Sequence, residues 1–214
     1  MIAAEDQAKA YVAALPGVDE AAIERLERLA ILLAEENAHQ NLISAASLGE
    51  VWLRHIADSA QLLAHVPRET SGPWLDLGTG AGFPGLAIAC LLPETELILV
   101  ESRARRIDWL NRAIQSLGLD NARVEGARLE LVETRKVRTI SARAFAPLDK
   151  LLKLSARFST PDTIWLLPKG RSARQELQEL KGWQHVFHVE QSLTGSDAGI
   201  IVGKLLGKAG KTKG

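Results

Sequence analysis

Apolar positions in the first seventy residues recur at three- and four-residue spacing, the period of helices with one buried face. A short helix over 8–15 ends at Pro16 and Gly17. A longer helix follows Asp19, which suits an N-cap, and carries Ile23, Leu26, Leu29, Ala30 and Leu33 as a single stripe. A third, over 48–63, repeats the pattern through Val51, Ile56 and Leu62 and leaves Arg54, His55 and Asp58 between the apolar positions; 67–73 forms the boundary. From residue 73 short apolar runs alternate with amphipathic segments, which predicts a mainly parallel sheet covered on both faces. Strands are expected at 74–77, 96–100, 122–125, 137–142, 163–167, 185–189 and 199–205. Helices are expected at 84–91 with Pro84 in the first helical position, around 107–117 with Ser102 as cap and Gly118 as stop, and at 127–133, 148–158 and 172–180. The chain thus reads as α/β: a helical extension over 1–72, a core over 73–207 built on a seven-stranded, mainly parallel sheet, and a Lys/Gly-rich tail over 208–214 expected to be disordered.

Composition narrows the functional classes. The 214 residues are 46% apolar with 26 basic and 26 acidic side chains, so the chain is neither a disordered tail nor a uniformly basic nucleic-acid coat. Charge is segregated, however. Residues 1–50 carry three Lys/Arg against nine Asp/Glu, 51–100 two against five, and 101–214 twenty-one against twelve, which places an anionic partner on the second half. One cysteine, Cys90, excludes an internal disulfide and a cysteine-built zinc site. No apolar run approaches the roughly twenty residues of a bilayer span, and Glu5 and Asp6 stand where a secretory signal wants positive charge. A cytoplasmic protein without a metal is expected, since the five histidines are scattered and His185 and His188 fall in a strand-like alternation.

The chemistry concentrates at Gly78-Thr79-Gly80-Ala81-Gly82, between a predicted strand and a predicted helix, where glycines let a nucleotide-like ligand approach bare backbone. Glu101, at the end of the next strand, is placed to accept hydrogen bonds from both hydroxyls of a ribose. Alternating glycines, an acidic Asp76 before them and a proline at the helix start suit the cationic S-adenosylmethionine better than the pyrophosphate of a dinucleotide. An NAD-dependent oxidoreductase is the rival within this geometry, but a hydride-transfer set is lacking and the single tyrosine, Tyr11, lies in the first helix. A non-catalytic RNA-binding or assembly protein is the rival outside it.

The stretch from Asp76 to Leu86, DLGTGAGFPGL, combines with upstream Asn41-Leu42 and Arg54-His55-Ile56-Ala57-Asp58-Ser59 and with downstream Ser141-Ala142-Arg143-Ala144-Phe145-Ala146 and Lys169-Gly170. In this order and spacing the set resembles the ribosomal RNA small subunit methyltransferase G family, over about residues 25–205. The resemblance implies a class I, Rossmann-like methyltransferase fold, S-adenosylmethionine as cofactor, and methylation of N7 of a guanosine in a decoding-region loop of 16S rRNA. It also implies cofactor contacts at Gly78, Phe83, Leu129, Glu130 and Arg143. One departure is visible, Arg138 where the family usually has an acid opening the fourth strand.

Read from their own positions, Gly80 and Glu101 join the cofactor set. Arg143, at a C-terminal strand end, has three candidate partners: the cofactor carboxylate, Glu130, or an RNA phosphate. Phe145 either stacks on the target base or packs in the core. His55 and Asp58 share a helix face. Guanine N7 carries no proton, so Asp58 and Phe145 are electrostatic or stacking candidates rather than acid–base ones, the alternative being a network that holds the extension on the sheet. His55, Arg105, Arg106, Lys169 and Arg171 are the substrate-side candidates. With Arg103, Arg174, Lys204, Lys208, Lys211 and Lys213 the basic residues are expected to form one phosphate-tracking face for 16S rRNA or the small subunit. No unexplained apolar face demands a second copy, and a monomer is expected.

Overall fold

The central strands form where short, largely apolar runs are bounded by turn residues, and the alternation of their side chains feeds two separate cores. The structure is a computed structural model describing residues 1–67 and 70–210. Its strands are β1 (Trp74–Leu77), β2 (Leu97–Val100), β3 (Ala122–Glu125), β4 (Thr139–Ser141), β5 (Ile164–Gly170), β6 (Trp183–His185), β7 (His188–Gln191) and β8 (Gly199–Lys208). They lie in the order β3-β2-β1-β4-β5-β8-β6, with β7 also pairing β8. Strands β1 to β5 are mutually parallel, and β8 enters antiparallel to β5. Eight strands replace the expected seven because the 185–189 strand is two, β6 and β7, both on the same side of β8. Gly203 explains the break: a Cβ there would lie 2.5 Å from the Val186 carbonyl, so the backbones come too close for a continuous ladder, and register shifts between Gln184 and His185.

The helices are α1 (Glu5–Ala13), α2 (Glu20–Asn37), α3 (Ala45–Leu48), α4 (Asp58–Ala60), α5 (Gly85–Leu91), α6 (Ala104–Leu117), α7 (Leu148–Ser155) and α8 (Ala173–Glu179). Asp19 caps α2 by accepting from Ala22 N at 2.8 Å, and Gly118 closes α6 in the left-handed conformation. The helix expected over 48–63 is composite: a π-helical turn (Trp52–Ala57), α4, and a 3-10 turn (Gln61–His65). Its start is fixed from outside, as the Glu5 carboxylate of α1 accepts from the amides of Trp52 and Leu53. Pro84 sits at the N-cap of α5, not inside it.

Trp74, Leu97, Leu99, Leu166 and Ile200 face one side of the sheet and pack in a single cluster with Val12, Leu26, Leu33, Leu86 and Leu110. The extension therefore has no core of its own; it completes one face of the sheet. Leu75, Leu77, Ile98, Ile140 and Trp165 face the other side, against Leu148, Leu151 and Phe158. Burial on both faces is why β2 (Leu-Ile-Leu-Val) and the start of β5 (Ile-Trp-Leu-Leu) are continuous apolar runs. At the far end, Lys208 pairs with Trp183 and the Ala209 amide donates to Gly182, so the tail is ordered strand at the point where disorder was expected to begin. Residues 211–214, with Lys211 and Lys213, lie outside the described residues, as do 68–69 of the boundary segment. Among the described residues no helix is long and apolar enough to cross a membrane, and no group of three His, Cys, Asp or Glu could hold a metal ion.

Candidate active site

The glycine loop leaves the C-terminal end of β1 beside the ends of β2 and β4, the place where open parallel sheets bind ligands. Gly78 and Gly80 have positive φ, and a Cβ on Gly78 would run into the Phe145 ring. Asp76 holds this loop from inside. Its fully buried carboxylate accepts from Thr79 Oγ1, from Ser141 Oγ at 2.7 Å and from the Gly85 amide at 3.0 Å, and Ser141 in turn accepts from Trp74 Nε1. Burial raises its carboxyl above the ordinary carboxylate range, against the lowering effect of those donors. The acid read from sequence as a partner for a cationic ligand is instead consumed in joining β1, β4, the loop and α5.

Glu101 follows β2 and is 6% exposed. One of its oxygens accepts from the amides of Ser102 and Arg103, at 2.7 and 2.9 Å, and the other from the Gly80 amide at 3.1 Å, with Arg106 Nη1 at 3.9 Å. The acceptor at the start of α6 is thus Glu101, not the Ser102 side chain. Two carboxylate oxygens accommodate about four donors, so one acceptor site remains after these three amides. A cavity of about 190 Å³ opens here, walled by Gly78, Glu101, Arg106, Ala127, Leu129 and Phe145. Bare backbone, an anchored acceptor and an apolar wall suit a nucleoside with a sugar diol and a flat base.

A second cavity, of about 590 Å³, adjoins the first, and both are bounded by Ala144 and Phe145. Asp58, Arg143, Lys169, Glu176 and Ser192 contribute its polar surface. Ala144 holds φ +52°, a left-handed conformation that costs a non-glycine residue about 1–2 kcal/mol. The 143–147 segment that carries it is tied down on both sides. On one side, Arg143 donates to Asp58 Oδ2 at 3.3 Å, to His55 Nδ1 at 3.0 Å and to the Arg54 carbonyl at 3.2 Å, with its guanidinium 5.6 Å over the Phe83 ring. On the other, Lys169 donates to the Ala146 carbonyl and pairs with Glu176 at 2.9 Å. Glu176 also accepts from the Leu148 amide and Ser172, and these donors hold its carboxyl below the ordinary range although burial opposes them.

His55 is buried, stacked on Phe83 with ring centroids 5.0 Å apart. Because an arginine only donates, Nδ1 is the acceptor and the neutral ring carries its proton on Nε2, which has no hydrogen-bond partner. Burial first, then the charges of Arg143 and Arg54, push its pKa down to about 3.

The structure therefore brings Gly78, Glu101, Arg106, Leu129 and Phe145 to one cavity and Asp58, Arg143 and Lys169 to the other, while Gly80 lines neither and meets the first only through its amide on Glu101. Phe83 is buried beneath Arg143 and His55 and lines neither cavity, while Glu130 is exposed. Arg105 reaches the His39 carbonyl, and Arg171 is exposed with Asp197 at 3.5 Å. The single basic face expected from sequence is not continuous. Lys204 and Lys208 lie on β8, which runs antiparallel, so they pair with Ile164 and Trp183 at the end of the sheet opposite the glycine loop. Sequence reading also passed over Gln61, Ser192 and Thr194. Gln61 accepts from the Leu193 amide at 2.7 Å and donates to Asp58 Oδ1, which also accepts from Thr194. Ser192, Leu193 and Thr194 lie more than 130 residues along the chain from Asp58 and Gln61, and no local pattern could have joined them.

Strand order, the glycine loop and the acid after β2 together define a class I methyltransferase fold. A S-adenosylmethionine-dependent methyltransferase from Aquifex aeolicus superposes with a TM-score of 0.58 at 13% identity, covering 81% of this chain and 98% of that one. A fibrillarin from Aeropyrum pernix, solved with natively bound S-adenosylmethionine, gives 0.53 at 16% identity, covering 67% and 73%. The family model of rRNA small subunit methyltransferase G matches residues 22–197. Proteins of that name from Erythrobacter litoralis and Novosphingobium aromaticivorans are 60% and 58% identical, covering 95% and 97% of this chain and 98% and 90% of theirs. The chain belongs to the rRNA small subunit methyltransferase G family.

Proposed function

We propose that the protein transfers the methyl group of S-adenosylmethionine to N7 of a guanosine in a decoding-region loop of 16S rRNA. The observation that carries this is the pair of cavities meeting at Ala144 and Phe145, one with nucleoside-type features and the other large enough for a purine. Gly78 and Gly80 would approach the cofactor through main chain, Glu101 would accept from its ribose, and Leu129 would flank its base. Phe83 and Arg143 would act on that site from behind, through the segment they hold, and Glu130 would act at its exposed margin. When bound, the cofactor supplies an electrophilic methyl group on a sulfonium.

Guanine N7 has an in-plane lone pair and no proton, so the chain need only position it and exclude water. His55, neutral at physiological pH, fits a scaffold without a proton-transfer duty. As methylation proceeds the purine becomes cationic, and the Phe145 face with the Asp58 carboxylate offers it electrostatic support. A-form helices hide N7 in a deep groove, so the target nucleotide must be unstacked or flipped to enter. Arg103, Arg105 and Arg171 would receive the flanking phosphates, whereas Arg106, expected from sequence on the substrate side, stands in the wall of the small cavity beside Glu101. The protein would work in the cytoplasm as a monomer, on 16S rRNA or the small subunit.

Nucleoside mass mapping of 16S rRNA from cells with and without the protein tests this reading. One 7-methylguanosine should disappear with the gene; its retention at every site would overturn the proposal. Displacement of S-adenosylhomocysteine by NADH would favour the oxidoreductase instead.

A further inference from the structure

Lys169 is unusual among the basic residues of the site because its side chain is only 8% exposed, whereas Arg171 beside it is 87% exposed. A residue that tracks RNA phosphates belongs in solvent; a buried ammonium must be paired and hydrogen-bonded, and this one is. It donates to the Ala146 carbonyl and to Glu176, which uses two of the three N–H groups of an ammonium. The third remains, on a residue that lines the larger cavity together with Phe145.

Purine chemistry shows what that donor can do. With N7 turned toward the methyl source, the only difference between guanine and adenine on the same edge is at C6, where guanine has the acceptor O6 and adenine the donor N6–H₂. Resting on the guanosine-N7 reading above, we propose that Lys169 reads O6 of the target base and so rejects adenine, rather than binding phosphate. Glu176 fits this role as well. By neutralising the ammonium it keeps a bare positive charge away from a purine ring that is itself becoming cationic. The same pair, through Ala146 and the Leu148 amide, fixes the segment bearing Phe145, so the base-reading donor and the stacking ring are set by one anchor.

The test uses 16S rRNA, assembled into small subunits, in which the target guanosine is replaced by inosine, which keeps O6, or by 2,6-diaminopurine riboside, which carries an amino group there. Both retain N7. The wild-type protein should methylate inosine about 10- to 100-fold faster, in kcat/KM, than diaminopurine, as expected when a buried donor loses its acceptor. Lys169→Met should bring that ratio to within about threefold of unity, and Glu176→Gln, which loosens the anchor but keeps the ammonium, should lower both rates while preserving it. Calorimetry with S-adenosylhomocysteine and a thermal melt report whether each variant is folded. Equal use of inosine and diaminopurine by the wild-type protein would overturn the proposal whatever the variants do, and so would an unchanged ratio in folded Lys169→Met. Absence of methylation on natural guanosine would instead overturn the underlying reading of the reaction.

Discussion

Glu101 shows how one side chain can serve the fold and the site together. It accepts three backbone amides, from the glycine loop and from the start of α6, and still offers an oxygen to the small cavity. Glu101→Gln replaces one acceptor oxygen by an amide that donates toward N–H groups already donating. We expect a stability loss of about 1–3 kcal/mol, a Tm decrease of several degrees, and at least about tenfold weaker S-adenosylhomocysteine binding, read by calorimetry and thermal melts. Unchanged affinity would remove Glu101 from the cofactor site. Gly78→Ala acts by sterics instead, since its Cβ meets the Phe145 ring and its φ is left-handed. It should weaken the same binding about tenfold or more, and Phe145→Ala in that background should restore part of it by removing the obstruction. His55 and Asp76 were both visible in sequence as polar residues near motifs, but their burial was not, because burial depends on neighbours supplied by other elements.

The joint between the helical extension and the 143–147 segment is where elements meet through polar contacts. Arg143 reaches Asp58, His55 and the Arg54 carbonyl across the joint. Arg143→Ala should cost about 1–3 kcal/mol in urea unfolding and lower methyl transfer more than S-adenosylhomocysteine binding, because the segment carrying Phe145 loses one of its two anchors. The joint also has a pH signature. His55 has a folded pKa of about 3 against about 6.5 when unfolded, so between these values the unfolded chain binds the extra proton. The stability it permits is intact above pH 6.5 and is lost as pH falls toward 3, at up to about 1.4 kcal/mol per pH unit. Comparing urea midpoints at pH 7 and pH 5, His55→Asn should show a smaller acid-induced loss than wild type; equal losses would mean that another group governs the window. The composite helix at this joint escaped sequence reading because its pieces run only three to six residues, too short for apolar spacing to separate π, α and 3-10 turns, and the amide acceptors that fix it come from Glu5 in α1.

Across the whole molecule, charge and topology must be considered together. The excess of Lys/Arg in the second half is real, but the antiparallel entry of β8 carries Lys204 and Lys208 away from the cavities, to the other end of the sheet. We therefore expect the double variant Lys204→Glu, Lys208→Glu to keep kcat/KM on small subunits within about twofold, while Arg103→Glu with Arg171→Glu lowers it at least about tenfold and reduces its dependence on salt. Equal effects of the two pairs would show that RNA spans both ends. Most of the order of helices and strands, the strand ends at β1 and β3, the caps at Asp19 and Gly118 and the glycine loop were legible in the chain, since each depends on periodicity or on residues a few positions apart; the helix expected over 127–133 is instead a single 3-10 turn, Leu129–Leu131, and α3 (Ala45–Leu48) gave no periodic signal. The resemblance to a methyltransferase family was carried by the same local motifs. The break between β6 and β7, the inward turn of Asp76, the tie of Arg143 to Asp58 and the burial of Lys169 against Glu176 were not. Each arises when segments distant in sequence are brought to van der Waals or hydrogen-bonding distance, and the periodicity of one segment contains no information about which surface will close over it.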